Sequence, residues 1–138
     1  MGRCRVSEEN PKMVPAAAVL EASKEMLQRQ LYAIFTTPTD GLGPVFAIIE
    51  KHLEFQVQLE KDGILYAAGP MWTDDEQSWE GEGLVVVRAA SREEAITIAE
   101  RDPMHVSGAR SFKVRPWLIN EGSLTITFNN SSQTFTIN

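Results

Sequence analysis

The residues of this chain with the clearest chemical potential are a histidine and an aspartate, His52 and Asp102. His52 lies in the segment 45–62, which we predict to be one amphipathic helix. At about 100° per residue, His52 and Gln56 fall one turn apart in the middle of its apolar face. A helix that served only as core would place Leu or Ile at position 52. The apolar residues of this face are Val45, Ile48, Ile49, Phe55 and Leu59.

Asp102 is predicted to end a second helix, which opens with a cap at Ser91 and is stopped by Pro103, on the inward side that it shares with Ile98 and Ala99. At a helix C-terminus the dipole disfavours a carboxylate by about 0.3–1 kcal/mol, and burial without a partner adds to that cost. A hydrogen-donating neighbour would remove the conflict. We therefore predict that Asp102 holds one ring nitrogen of His52 as N–H and leaves the other nitrogen free as a base.

Both residues also have a purely structural explanation. Asp102 precedes Pro103, and aspartate tolerates the extended backbone that a residue before proline requires. His52 could be a core histidine whose ring contacts a backbone carbonyl. The inward position of Asp102 and the presence of Gln56 favour the functional interpretation.

Residues after Asp102 could complete a binding site. His105 follows it by three positions, and Ser107 and Arg110 lie between the second helix and the last strand. Arg110 could bind a carboxylate or phenolate of a ligand, although a surface arginine is the commoner outcome. By ligand type, His52, Asp102 and His105 could also bind a metal, but their spacing is not diagnostic and we expect no metal or cofactor.

Residues of the predicted strands could line a pocket over the His52–Asp102 pair. Tyr32 on the first strand and Trp72 after the second could supply its apolar wall, although aromatic residues in strands are more often core. The small residues that end the second strand, among them Gly69 before Pro70, would let a ligand approach the backbone. The acidic segment 72–83 carries two tryptophans, which favour a lid or an interface anchor.

Composition and missing motifs exclude several protein classes. The chain has 138 residues, is 43% hydrophobic and carries a net charge of −6, which indicates one ordinary domain and argues against a nucleic-acid partner. It lacks a phosphate-binding glycine loop, a dinucleotide fingerprint, paired zinc cysteines and a nucleophile elbow. Its one cysteine, Cys4, cannot form an internal disulfide, and no apolar run suits a membrane span or a secretory signal. We therefore expect a cytoplasmic protein without a membrane partner.

The elements that position these residues follow the order strand, helix, strand, strand, helix, strand. The predicted strands are 31–37, 64–71, 83–89 and 112–119. Ser91 and Glu94 form a capping box at the start of the second helix. This order is typical of a ferredoxin-like α+β fold, in which an antiparallel sheet carries both helices on one face. The inward sides of the two helices can therefore meet.

Two segments flank this domain, which we place at residues 31–119. Residues 1–30 are predicted to form a polar tail and an accessory helix, 16–30, that begins after Pro15. Residues 120–138 are predicted to form a β-hairpin, which is marginal in water by itself. Because this hairpin and the bare face of the sheet both need cover, we expect a homodimer.

Several segments together resemble the YCII-related (YciI-like) family, over about residues 31–118. The resemblance is carried by Glu50-Lys-His-Leu53, Lys61-Asp-Gly-Ile-Leu-Tyr-Ala-Ala-Gly-Pro70, Ser91-Arg-Glu-Glu-Ala95, Arg101-Asp-Pro103 and Val114-Arg-Pro-Trp117. It implies a dimeric α+β barrel and an active site centred on a histidine and an aspartate, which correspond to His52 and Asp102. A dehydrochlorinase related to the family implies that such a scaffold hosts proton transfer without a redox cofactor.

These observations predict a cofactor-independent enzyme that acts on a small aromatic or carbonyl compound. His52 would be the general acid or base of an elimination or isomerisation, and Asp102 would orient it. Arg110 or Ser107 would hold an anionic group. The alternatives are a non-catalytic module that binds or senses a small molecule and, third, a purely structural dimer.

Overall fold

The computed structural model of the protein describes residues 10–138, which divide into two compact units. One unit comprises residues 30–118, and the other combines residues 10–29 with residues 119–138. The helices and strands in chain order are α1 Ala16–Ala22, β1 Arg29–Pro38, α2 Gly43–Lys61, β2 Leu65–Pro70, β3 Gly83–Val87, α3 Arg92–Arg101, α4 Pro103–Val106, β4 Arg110–Ile119, β5 Ile126–Asn129 and β6 Thr134–Ile137. Within these described residues no helix is long and apolar enough to cross a membrane.

The larger unit contains a four-stranded sheet with the order β2-β3-β1-β4. Strand β3 pairs antiparallel with both β1 and β2, and Val87 lies opposite Tyr32 on one side and Leu65 on the other. This strand order, with α2 and α3 as the two crossover helices, is the ferredoxin-like arrangement. The predicted α+β fold class is therefore confirmed.

The core lies between the sheet and the two crossover helices. The buried residues of β1 and β3 that alternate towards the helices pack against α2 and α3, as expected for strands with one face on a core. This main cluster consists of Tyr32, Ile34, Leu59, Val85, Val87, Ala95, Ile98, Ala99 and Val114. A second cluster joins the start of α2 to α4 through Val45, Met104 and Ala109. Asp102 stands in the chain between the two clusters.

The predicted cap at the start of α3 forms. The Ser91 hydroxyl accepts a hydrogen bond from the Glu94 backbone N–H at 3.1 Å. The Glu94 carboxylate reaches back one residue further than in a standard capping box, because it accepts from the Ala90 N–H at 2.6 Å. Two donors at the helix N-terminus are thereby satisfied, and the start of the helix that leads to Asp102 is fixed.

The accessory helix is much shorter than predicted. Helix α1 ends at Ala22 rather than at residue 30, and none of its residues is buried. The Ser23 hydroxyl donates to the Val19 carbonyl at 2.8 Å, and Gln28 has a left-handed backbone with φ +50°. Helix formers alone do not sustain a short helix that buries no apolar face, so the segment turns and joins β1 at Arg29.

The C-terminal hairpin has an exposed apolar face. Ile126 pairs with Ile137 and Phe128 pairs with Phe135, while the intervening positions are polar. The two phenylalanines are 75% and 61% exposed, respectively, and their ring centroids lie 6.4 Å apart. The hairpin predicted for residues 120–138 is thus formed by β5 and β6.

Candidate active site

His52 and Asp102 meet, as the inward positions of their helices predict. Nδ1 of His52 lies 2.9 Å from both Oδ1 and Oδ2 of Asp102. Because an ionised carboxylate only accepts hydrogen bonds, Nδ1 carries the proton and donates it to Asp102. The other ring nitrogen, Nε2, is thereby left with its lone pair when the ring is neutral. His52 also lines an open cleft, so this site has an imidazole that is both oriented and accessible.

Asp102 ends α3 and also begins α4. Its Oδ1 accepts from the Met104 backbone N–H at 2.9 Å, and Gln56 Nε2 lies 3.4 Å from its Oδ2. The predicted dipole conflict at the end of α3 is therefore relieved, because the same carboxylate caps the N-terminus of the next helix. Asp102 is only 3% exposed. Burial raises the pKa of its carboxyl, but the hydrogen bond and charge of His52, together with the Met104 N–H, lower this pKa more strongly.

The backbone at Asp102 connects the end of α3 to the start of α4. Asp102 has the extended conformation that precedes a proline, with φ −62° and ψ 126°, and Pro103 then occupies the first position of α4. The structural and functional explanations of Asp102 are thus compatible. The extended backbone required by Pro103 allows the side chain to cap α4 while it contacts His52.

His105 is bound within the protein through both ring nitrogens. Its Nδ1 lies 2.6 Å from the Ala99 carbonyl oxygen and therefore donates, and its Nε2 lies 2.9 Å from the Thr36 hydroxyl and therefore accepts. The ring also packs against Phe112, with centroids 4.5 Å apart. Burial lowers the pKa of His105, partly opposed by the hydrogen bond to Ala99 and the charge of Asp102. The ring is therefore neutral at pH 7.

The interactions of His105 also bear on the alternative of a metal site. In residues 10–138, no group of three or more His, Cys, Asp or Glu side chains is placed to hold a metal ion. Nδ1 of His52 is engaged by Asp102, and both ring nitrogens of His105 are engaged by the Ala99 carbonyl and the Thr36 hydroxyl, so only Nε2 of His52 is left among the side-chain nitrogens of these residues.

The cleft beside His52 has a volume of about 830 Å³ and is lined by residues of α2, β2 and β3. Five predicted binding residues line it, namely Gln56, Gly69, Pro70, Trp72 and Arg110. Strand β2 is exposed over residues 66–70, so its small side chains leave its backbone open to the cleft. This volume is typical of sites for small molecules.

Three other predicted binding residues do not line this cleft. Tyr32 belongs to the main core cluster, and His105 lies behind Asp102. The Ser107 hydroxyl lies 3.4 Å from the Met104 carbonyl oxygen and 3.3 Å from the Ala109 nitrogen, where it bridges the turn after α4. These side chains contact the elements that hold the His52–Asp102 pair.

Comparison with known protein families matches residues 30–118, more than half of the chain, to the YCII-related domain. The chain belongs to the YCII-related domain family. A comparison with curated proteins finds no match. The site described above lies entirely within the matched residues.

Among solved structures, this YCII-related protein is similar to 5-chloro-2-hydroxyhydroquinone dehydrochlorinase, TftG, from Burkholderia phenoliruptrix AC1100, in complex with 2,5-dihydroxybenzoquinone. The TM-score is 0.52 and the sequence identity is 20%, over 63% of this chain and 92% of the other. A likeness at this identity supports the fold. It does not transfer the activity of that protein.

Sequence reasoning missed several residues of the cleft wall in this YCII-related protein. Leu53 and Val57 of α2 are about half exposed and flank His52 and Gln56 on the cleft side. Because these two residues are four positions apart, they form a second apolar stripe on the helix, and this spacing could have identified them from the sequence. Trp79 also lines the cleft, and its indole N–H donates to the Glu82 carbonyl at 2.7 Å. Its place in an acidic loop gave no sign of which side it would face.

Arg110 reaches the cleft from the start of β4. It is only 6% exposed, and its guanidinium carbon lies 5.7 Å from the centre of the Trp79 ring. Burial lowers the pKa of the Arg110 guanidinium below its ordinary value, partly opposed by the negative charge of Asp102. The side chain remains a cation at physiological pH because an arginine pKa lies far above 7. The predicted binding residue is therefore a buried positive charge beside the cleft.

Proposed function

We propose that this YCII-related protein is an enzyme that transfers a proton on a small aromatic or carbonyl compound, with His52 as the general acid or base. The observation that carries the proposal is the direction of the His52–Asp102 hydrogen bond. Since Nδ1 donates to Asp102, Nε2 is the ring nitrogen available to a substrate in the cleft.

The proposed reaction begins with proton transfer to the free ring nitrogen of His52. Nε2 of His52 takes a proton from a C–H or O–H group, and the electron pair of the broken bond stays on the substrate. In an elimination this pair forms a double bond, an anionic leaving group departs with the electrons of its own bond, and the imidazolium then releases the proton to water. In an isomerisation the double bond shifts and the imidazolium returns the proton to another atom. The carboxylate of Asp102 stabilises the imidazolium between the two events.

The cleft supplies the conditions for this chemistry. Leu53 and Val57 on α2, and Leu84 on β3, give it apolar walls, which limit the water that would compete for the proton. Gly69 and Pro70 leave room for a flat ligand along β2. The dehydrochlorinase activity in the name of the structural relative is an elimination and is compatible with the proposal. His105, Ser107 and Tyr32 are proposed to position the pair from behind.

The proposal is tested with 5-chloro-2-hydroxyhydroquinone and a panel of enolisable aromatic acids and ketones. Chloride release reports elimination, and deuterium incorporation from D₂O, followed by NMR, reports proton transfer. We expect turnover by the unmodified protein and a decrease of about 10²–10⁴-fold in His52→Ala, the usual contribution of a positioned acid or base. Glu54→Gln, an exposed change on the same helix, is the matched control. Equal rates for His52→Ala and the unmodified protein would show that His52 is not the acid or base.

A non-catalytic binding or sensor module is the second candidate. The size of the cleft and its mostly apolar wall favour it, because these features suit binding whether or not chemistry follows. The two candidates differ in what is recovered after incubation. A ligand that binds with His52 intact and returns unlabelled from D₂O, across the whole panel, supports the module.

A homodimer is part of the proposal. Phe35 on β1 and Trp117 on β4 are 39% and 46% exposed and belong to sheet positions that alternate with the helix-facing residues. A second copy packed against this face would cover them. Light scattering coupled to gel filtration should give twice the mass of the chain. We also propose a cytoplasmic location, in keeping with the single cysteine of the sequence.

A further inference from the structure

Arg110 is a buried cation without an anionic partner in the described part of the chain. Its Nε atom is buried and has no hydrogen-bond partner. The two ion pairs found in residues 10–138 join Lys24 to Glu21 and His52 to Asp102, so neither involves Arg110. A charged group so deeply buried is normally paired, because transfer out of water is strongly unfavourable.

The neighbours of Arg110 do not replace that partner. The Trp79 ring attracts the cation through its π face but offers no acceptor oxygen for its N–H groups. Asp102 attracts Arg110 electrostatically, yet no ion pair within 4.0 Å joins them. The oxygens of Asp102 are already engaged by His52, Met104 and Gln56. Arg110 lines the cleft, so a ligand there lies next to a guanidinium whose Nε has no acceptor.

Gln56 adds a second unsatisfied atom in the same cleft wall. The side chain is 9% exposed, and its Nε2 points to Asp102 at 3.4 Å. Its Oε1 is buried without any hydrogen-bond partner. An amide oxygen only accepts, so the group that would satisfy it must be a donor such as a hydroxyl. Arg110 thus needs an acceptor with negative charge, and Gln56 needs a donor.

We propose that the ligand of this cleft carries an anionic oxygen that Arg110 binds and a hydroxyl that donates to Gln56, as in a hydroxylated aromatic carboxylate or an acidic phenol. The chemical class follows from the two unsatisfied groups and from the apolar residues that line the same cleft. The inference rests on the proposed function only in that the bound ligand would exchange a proton with His52. Binding of the anion does not require turnover.

An anion at Arg110 also fits the proton transfer. When His52 removes a proton, negative charge develops on the substrate, and an enolate or phenolate oxygen would carry it. A fixed guanidinium in a site with little water stabilises this charge without reorganising. Arg110 would then act twice, by selecting an anionic ligand and by favouring its more negative form.

Two probes of the same shape but different charge test the selection. We would titrate the protein with 2,5-dihydroxybenzoate and with 2,5-dihydroxybenzamide by calorimetry at pH 7. The carboxylate should bind at least about tenfold more tightly than the neutral amide, because charge-assisted hydrogen bonds are the stronger class. This preference should disappear in Arg110→Gln and persist in Arg115→Gln, a matched loss of an exposed arginine on the same strand. Equal affinities in the unmodified protein, or a preference that survives Arg110→Gln, overturn the proposal.

A direct measurement covers the case in which Arg110→Gln does not fold. The ¹H–¹⁵N resonance of the Arg110 Nε–H should shift when 2,5-dihydroxybenzoate is added and stay unchanged with the amide. An unchanged resonance at saturating carboxylate overturns the proposal. For the donor half, Gln56→Leu should remove the tighter binding of 2,5-dihydroxybenzoate over benzoate, and an unaltered advantage would refute the role of Gln56.

These experiments separate the two proposals because none of the probes needs to react. Anion preference without proton exchange on any compound would refute the enzymatic proposal and leave the Arg110 subsite standing. Proton exchange that depends on His52, without any preference for anions, would do the reverse.

Discussion

Asp102 accepts a hydrogen bond from the backbone N–H of Met104, 2.9 Å from its Oδ1. The carboxylate is thus anchored by the first turn of α4, whatever the protonation state of His52. Met104 itself is completely buried in the second core cluster, so the donor cannot move away easily. A substitution at Asp102 can therefore affect both the cap of α4 and the imidazole of His52. Different substitutions can separate these two effects.

Asp102→Asn should preserve the helix cap and disturb the imidazole. An asparagine oxygen can accept from the Met104 N–H in the same way, so we expect stability to change by less than about 1 kcal/mol from this contact. The charge that stabilises the His52 imidazolium is lost, and turnover should fall by about 10²-fold or more. Asp102→Ala should lose the cap as well and be less stable than Asp102→Asn by about 1 kcal/mol. Urea unfolding and rate measurements on both variants check this, and equal stability of the two would contradict the cap.

His52→Leu should reverse the pH dependence that Asp102 gives to stability. In the native protein the pKa of Asp102 is below 3.8, so its stabilisation is complete above the unfolded value and is lost as pH falls through the folded value. Without His52, burial dominates and raises this pKa. The ionised carboxylate then lowers the free energy of unfolding at pH 7 by at most about 3–5 kcal/mol. Protonation of the carboxylate at lower pH removes this destabilisation. The difference in unfolding free energy between the variant and the unmodified protein should therefore become smaller as the pH is lowered from 7 to 5 and then to 4.

The control for this prediction is His52→Leu combined with Asp102→Asn. The amide cannot ionise, so the double variant should show no convergence towards acidic pH. Parallel curves for His52→Leu and the unmodified protein would mean that His52 does not hold the Asp102 pKa down.

His105 should make the protein lose stability in mild acid. Its pKa in the folded protein is lowered from 6.5 by burial, so the unfolded chain binds a proton that the folded chain does not. Stability should be complete above pH 6.5, fall as pH drops below that value, and level off below the folded pKa. His105→Gln removes the titration, so its unfolding free energy should vary less between pH 7.5 and 5. If the difference in unfolding free energy between the unmodified protein and His105→Gln stays the same from pH 7.5 to pH 5, His105 is not buried in its neutral form.

Gly81→Ala should disturb the cleft more than Gly41→Ala does. Both glycines have positive φ, +89° and +63°, so each alanine carries a backbone penalty of about 1–2 kcal/mol. A Cβ at Gly81 would also lie 2.5 Å from side-chain atoms of Leu42 and Pro38, whereas one at Gly41 meets nothing within 4 Å. The loop must then shift, and Trp79 and Glu82 shift with it. Thermal unfolding and titration with 2,5-dihydroxybenzoate should show the larger losses for Gly81→Ala, and equal losses would refute the steric argument.

Sequence reasoning predicted the parts of this protein that depend on periodicity. The inward positions of His52, Gln56 and Asp102 follow from helical periodicity, a local pattern with three-dimensional meaning. These positions were sufficient to predict that the two helices bring His52 and Asp102 together. The capping box at Ser91 was equally local, since both of its partners lie within four residues.

The remaining features depend on long-range packing and could not be predicted. Helix α4 has only four residues, too few for a periodic pattern, and it exists because Asp102 caps it and Met104 is buried. The directions of His105 and Ser107 follow from that helix. The cleft requires β2 to stay exposed beside α2, a property of the assembled sheet rather than of its own sequence.

The direction of the His52–Asp102 hydrogen bond also has a stereochemical consequence. A base that is fixed on one wall of a cleft through Nδ1 can approach a bound carbon only from that side. For a substrate with a prochiral CH₂ group, exchange in D₂O should therefore label one of the two hydrogens and leave the other as protium. The configuration of the monodeuterated product would record the side from which His52 acts.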